Sequence, residues 1–152
     1  MKIRIIGGPG SGKTTLAKKL SEQLNILRYD LDDLQWDNTS ASYGTKRDPD
    51  ERDALLSEIL KKEDWIIEGV YYAWCRQSFD AADEIYLLQV PRRVYKYRIL
   101  RRFFKRKLGM EEGKRESLRS LSALLQWADK YQDENLAEIR KILSSYTEKV
   151  KT

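Results

Sequence analysis

Gly7-Gly8-Pro9-Gly10-Ser11-Gly12-Lys13-Thr14 follows the pattern G-x-x-x-x-G-K-[ST]. Each residue type in it suits a phosphate. Glycines let successive backbone N–H groups curl toward one point. A helix opening near Lys13 adds the partial positive charge of its N-terminus. The lysine brings a mobile cation to β- and γ-phosphates, and the Thr14 hydroxyl is a ligand for Mg2+. The pattern therefore assigns Gly8, Gly10, Ser11, Gly12, Lys13 and Thr14 to a nucleoside triphosphate, with Thr15 placed for the α-phosphate. ATP with Mg2+ is the expected pair, and Lys13 is expected to act in the chemistry as well. A glycine turn that happens to precede a lysine is the competing reading. The flanks speak against it: a β-rich run ends at Ile6, and Leu16, Leu20 and Leu24 follow at a spacing of four.

Magnesium-dependent phosphoryl transfer also needs carboxylates, to hold the metal's water shell and to orient or deprotonate the attacking group. Two acidic stretches stand at the ends of β-rich runs, Asp30-Leu31-Asp32-Asp33 and Glu68-Gly69. In a parallel sheet the ligand lies outside the carboxyl ends of the strands. Asp30, Asp32 and Glu68 are thus catalytic candidates, with Asp32 and Glu68 also candidates for the metal beside Thr14. Two alternatives stay open. The aspartates suit an acidic turn that caps a following helix, and Glu68 suits a structural carboxylate bonded to the P-loop backbone. Spacing does not choose which of the four acids meets the metal.

A third chemistry-bearing stretch is Arg92–Lys107, with nine cations and no acid. A solvated face, a nucleic-acid surface and a phosphate clamp over the P-loop compete for it. The clamp is favoured, because arginines neutralise a transferring phosphoryl group. Gly109 and Gly113 would let a lid move.

The elements that must position these groups alternate. The β-rich runs are 2–6, 25–30, 65–68 and 84–90. The helical runs are 13–24, one opening at Asp48-Pro49-Asp50-Glu51 as a capping box, one over about 91–107, and helices over most of 114–146. The expected apolar faces are Leu55, Leu56, Ile59 and Leu60 in the second helix, then Leu118, Leu121 and Leu125, then Ile139, Ile142 and Leu143. A β-α-β-α order with near-continuous apolar strands implies an α/β fold with a mainly parallel sheet. Asp37 to Arg47 reads as a polar loop.

Composition sets the bounds. The chain has 152 residues, 41% hydrophobic and 35% charged, which suits one domain with one core. No run approaches the about 20 apolar residues that span a bilayer, and no signal peptide opens the chain, so a cytoplasmic protein with no membrane partner is expected. There is no histidine, which excludes His-based acid–base chemistry and His-bearing zinc sites. The lone Cys75 excludes an internal disulfide and reads as a buried or half-buried thiol. A net charge of +5 suits nucleic acid or small phosphorylated ligands equally.

In combination and order, the P-loop, Asp30-Leu31-Asp32-Asp33-Leu34-Gln35-Trp36, Trp65-Ile66-Ile67-Glu68-Gly69-Val70-Tyr71 and Val90-Pro91-Arg92 followed by Arg98-Ile99-Leu100-Arg101-Arg102 resemble the adenylate-kinase-related P-loop kinases. More narrowly they resemble the branch of DNA topology modulation (FlaR-type) proteins. The resemblance covers nearly the whole chain. It implies a three-layer P-loop NTPase fold with a parallel sheet of order 2-3-1-4-5, a short or missing fifth strand at Glu148–Thr152, and a helical lid around 103–120. It implies ATP and Mg2+ as ligands, and a small-molecule phosphoryl acceptor, foremost a nucleoside monophosphate or a nucleoside. By motif position Arg98 resembles an arginine on the adenine side and Arg102 a lid-base arginine on the phosphates. Asp30 and Asp32 match a D-x-D of shikimate-kinase-like relatives, which serves metal and substrate. The acceptor would lie over Tyr43, Lys46, Arg47 and Arg52, cations beside aromatic surface. The lid lacks the cysteines of zinc-bearing relatives. A monomer or weak dimer is expected, with DNA a less favoured partner. The rival reading is a nucleotide-dependent DNA-binding or DNA topology regulatory protein without kinase turnover. Thr45-Lys46-Arg47-Asp48 matches a guanine signature, but it lies too close to the P-loop, and Asp48 reads as a helix cap.

Overall fold

The computed structural model describes residues 1–37, 44–110 and 117–152. Five short strands form the central sheet: β1 (Lys2–Gly7), β2 (Arg28–Asp30), β3 (Trp65–Gly69), β4 (Glu84–Leu88) and β5 (Val150–Lys151). All are parallel, in the spatial order β2-β3-β1-β4-β5, the order that the resemblance implies. The central strand is set by its sequence. Ile3 and Ile5 turn to one face and Ile6 to the other, and all three are wholly buried. The first face packs with Ile66, Ile26 and Ala17 of α1 (Lys13–Leu24). The second packs on α3 (Pro49–Leu60) through Leu56 and Ile59, on α4 (Gln77–Ala81) through Phe79, and on α7 (Leu136–Leu143) through Leu136, Ile139 and Leu143. Helices thus cover both faces of a sheet whose strand ends all point one way, so the loops after β1, β2 and β3 share one edge.

A third apolar cluster joins α5 (Arg92–Lys107) to α6 (Leu118–Lys130) through Tyr95, Ile99, Phe103, Leu121 and Ala128. A π-helical turn, Tyr131–Asn135, connects α6 to α7. Among the described residues no helix is long and apolar enough to cross a membrane. Cys75 is buried and unbridged.

Several local expectations change. β2 starts at Arg28 and not at Asn25, because Asn25 takes a left-handed conformation (φ 55°) and closes α1. β4 stops at Leu88, short of Val90. The stretch after Asp30 is a five-residue helix, α2 (Leu31–Gln35), with the Asp30 side chain capping it. Trp36–Asp37 pairs antiparallel with Thr45–Lys46 in a small ribbon at the ends of the expected polar loop. Leu24, Leu55 and Leu118, read as core-facing, are 44%, 40% and 68% exposed. Each lies at or beside the edge of its helix's apolar stripe, where one position's rotation turns a side chain outward. Asp48 does cap α3, accepting from the Asp50 and Glu51 N–H groups, but Glu51 turns to Arg47 and does not complete the box. Tyr43 and the centre of the expected lid, 111–116, lie outside the described residues.

Candidate active site

The glycine loop links β1 to α1, and its shape follows from close approaches on both sides. Gly10 sits at φ 71°, and a Cβ there would meet the Tyr95 carbonyl oxygen at 2.9 Å. A Cβ on Gly8 would meet the Tyr131 ring at 2.9 Å, so α5 and the π turn both press on the loop. Inside it, the Ser11 hydroxyl is buried and has no hydrogen-bond partner among the described residues. A buried hydroxyl without a partner is unfavourable, and an oxygen-rich ligand would relieve it. The Lys13 ammonium donates to the Gly8 carbonyl at 2.8 Å, folded back across the loop. Burial pushes its pKa down to about 8, against the pull of Glu68, Asp32 and Asp30. A cation held this way gains from a phosphate's charge. Thr15 is exposed on the first turn of α1.

The three acids gather at the strand ends, in three different arrangements. Glu68, 1% exposed, accepts from the Thr14 hydroxyl at 2.8 Å on one oxygen and pairs with Arg28 at 3.2 Å on the other. Asp30 caps α2 by accepting from the Asp32 N–H at 2.9 Å. Burial raises its pKa to about 6, and the Asp32 and Glu68 charges push the same way. The exposed Asp32 accepts from the Tyr71 hydroxyl at 2.7 Å. Both open alternatives therefore have a structural counterpart: Asp30 is a helix cap, and Glu68 is bonded to the P-loop, through the Thr14 side chain and not its backbone. Among the described residues no three His, Cys, Asp or Glu side chains form a ready-made metal cage. Magnesium rarely uses one. It keeps waters and phosphate oxygens, with one or two carboxylates. Thr14 beside Glu68, with Asp32 and Asp30 nearby, fits that pattern.

The basic helix divides its cations. Arg98 points to the P-loop and donates to the Gly10 carbonyl at 3.1 Å. Arg102, one turn further, is half-buried. Arg92 and Lys96 instead bind Asp129, and Arg92 also Asp133, which fastens α5 to α6 and the π turn. Arg93 and Arg101 are exposed.

Two of the residues read as acceptor contacts, Arg47 and Arg52, have protein partners. Arg47 donates to the Leu34, Asp33 and Trp36 carbonyls at 3.1, 3.2 and 3.4 Å, and pairs with Glu51 at 3.0 Å. Arg52 lies 4.3 Å over the Trp74 ring and reaches Gln35 and Asp53. Lys46 is exposed on the ribbon. Sequence reasoning missed three participants: Arg28 on Glu68, Tyr71 on Asp32, and Arg4, wholly buried in β1. For Tyr71 a signal existed, since it lies two residues beyond Gly69 at a strand end. Arg4 offered only a cation within an apolar strand.

The AAA domain family matches residues 3–119. Among solved structures, a shikimate kinase from Bacteroides thetaiotaomicron superposes with a TM-score of 0.54 at 16% identity, covering 98% of this chain and 81% of that one. At that identity the likeness concerns the fold, a P-loop kinase-like sheet and its flanking helices. No curated protein matches.

Proposed function

This chain belongs to the AAA domain family, and from that premise we propose that it is a P-loop small-molecule kinase that passes the γ-phosphoryl group of ATP to a small acceptor. The observation that carries the reading is the meeting of Lys13, Thr14 and the unpartnered Ser11 hydroxyl with Glu68, Asp30 and Asp32 at one edge of the sheet. Mg-ATP supplies the phosphoryl group and its charge compensation. The residues do the rest. The loop N–H groups and the Ser11 hydroxyl bind phosphate oxygens. Lys13 exchanges the Gly8 carbonyl for the β- and γ-phosphates. Thr14, with Glu68 behind it and Asp32 nearby, would hold the metal, and Arg98 and Arg102 would close over the nucleotide from α5. Asp32 and Asp30 stand where the acceptor's reacting group arrives, to orient it and take its proton.

The acceptor we propose is a nucleoside monophosphate or a nucleoside. Arg52 lies over the Trp74 ring, which packs 5.5 Å from Tyr71, and this aromatic surface suits a flat ring near an anion. The narrower kinship, with the FlaR-type DNA topology modulation branch, belongs to the same proposal. So do a single kinase domain over residues 1–152 and a cytoplasmic location.

The test is a screen of nucleosides, nucleoside monophosphates and small hydroxylated metabolites, scored by ADP release above background hydrolysis. Stimulation by a monophosphate or nucleoside supports the reading. Stimulation only by another alcohol corrects the acceptor. No stimulation sinks the kinase. The second reading, a nucleotide-dependent DNA-binding protein, draws on exposed Arg93 and Arg101, which sit on α5 with Tyr97, 63% exposed, and Phe104, 54% exposed. Duplex-DNA binding over a salt series decides it. A steep negative slope supports several phosphate contacts, and weak, flat binding removes it.

A further inference from the structure

Asp32 is an exposed side chain on a five-residue helix, a weak platform for a carboxylate that must meet reacting groups with precision. What fixes it comes from elsewhere in the chain. The Tyr71 hydroxyl, 39 residues on, donates to its Oδ1 at 2.7 Å. Tyr71 is itself held at its other end. Its carbonyl accepts from Arg4 Nη2 at 2.7 Å and from the Cys75 thiol at 3.3 Å. Its ring packs beside Trp74.

Arg4 is unusual in its own right. It is 0% exposed in the central strand, and no ion pair among the described residues includes it. Its remaining donors go to the Ser78 hydroxyl at 3.1 Å and to the Ile5 and Ile67 carbonyls, and its guanidinium lies 5.0 Å from the centre of the Phe79 ring. Burying a guanidinium without a carboxylate is costly, so its N–H donors have to find neutral acceptors instead. Here those donors nail the chain just past β3 to the centre of the sheet, and Tyr71 is the residue that carries this rigidity outward to the cleft.

We propose that Tyr71 is a positioning residue, which holds the Asp32 carboxylate at the transfer site and is itself held by buried Arg4. What Asp32 does there rests on the kinase reading above. The clasp is a property of the fold without ligand.

A double-mutant cycle tests both. Wild type, Tyr71→Phe, Asp32→Asn and the double variant are compared in kcat, in KM for ATP and in Tm. Phenylalanine keeps the ring against Trp74 and removes only the hydroxyl. Tyr71→Phe is expected to lower kcat about tenfold or more, with the KM for ATP changed less than about twofold. In the Asp32→Asn background the same change is expected to alter kcat less than about twofold, since residues that act through one another are not additive. The Tm losses should likewise fall short of their sum. Wild-type kcat in Tyr71→Phe, or losses that multiply independently, overturns the positioning role. If wild type transfers phosphoryl to no acceptor, the proposed function falls and the role in turnover falls with it. The Tm cycle still decides the clasp, and additive Tm losses overturn that.

Discussion

At the scale of the residue, two side chains in the cleft carry the wrong charge state for their burial. Asp30 has a folded pKa of about 6 against an ordinary 3.8, chiefly because it is partly out of water. The sign follows. Between those values the folded chain binds more protons than the unfolded one, so Asp30 favours folding below the lower value and loses that contribution as pH rises through about 6. Measured by urea unfolding without nucleotide, wild type should therefore lose ground to Asp30→Asn between about pH 4 and pH 6. Lys13 works in the opposite sense. Its folded pKa of about 8 lies below the ordinary 10.5, so the cost of burying its charge is present at neutral pH and is relieved as pH rises through that window. A phosphate at neutral pH compensates the same charge, so Lys13→Ala should abolish the stabilisation by Mg-ATP. In wild type that is about 2.7 kcal/mol at 100 times the dissociation constant, read as a thermal shift. An equal shift in both proteins would remove the P-loop assignment. Glu68 and Asp32 should separate in a second way. Both Glu68→Gln and Asp32→Asn should lower turnover more than ATP affinity. Only Glu68→Gln, which weakens the bonds of this buried carboxylate to the Thr14 hydroxyl and to Arg28, should also cost about 1–3 kcal/mol in urea unfolding.

At the scale of the element, α2 and α5 repay attention for what holds them. α2 has only five residues and could not persist alone, since nucleating a helix costs more than one turn returns. Asp30 satisfies its first turn and Arg47 its last carbonyls. Arg47→Ala should thus loosen α2 and the ribbon by about 1–2 kcal/mol in unfolding experiments. It should raise the acceptor KM through that loosening, so that an added neutral or anionic acceptor is weakened alike. A direct phosphate contact would instead weaken anionic acceptors selectively. On α5 the two faces have different duties. Arg98→Ala should raise the KM for ATP, because Arg98 sits on the P-loop. Arg92→Ala, whose partners are Asp129 and Asp133, should leave the KM for ATP near wild type. Equal loss in both would mean that α5 acts as a diffuse field and not through placed contacts.

At the scale of the whole molecule, the sheet edge is one assembly because a buried cation at its centre ties it together. Arg4 should be worth about 2–4 kcal/mol, measured as the loss in urea unfolding on Arg4→Met, since several buried carbonyls and the Ser78 hydroxyl would lose their donor at once. The P-loop was readable without any of this, because its donors are consecutive backbone groups within eight residues and its chemistry is local. The alternation of strands and helices, the parallel sheet and the placing of Asp30, Asp32 and Glu68 at strand ends were readable for a similar reason: periodicity and turn chemistry are properties of short windows. α2 was legible only as an open alternative, an acidic turn that caps a following helix, because its five residues show no period and Arg47, beyond it in the chain, holds its last carbonyls. The links of Glu68 to Arg28, Asp32 to Tyr71 and Tyr71 to Arg4 span 40, 39 and 67 residues. A sequence shows that such groups exist and which chemistry each can do. Which of them meet depends on strand order and register, and those are settled only when the β-strands pack side by side and burial decides which polar groups must find one another.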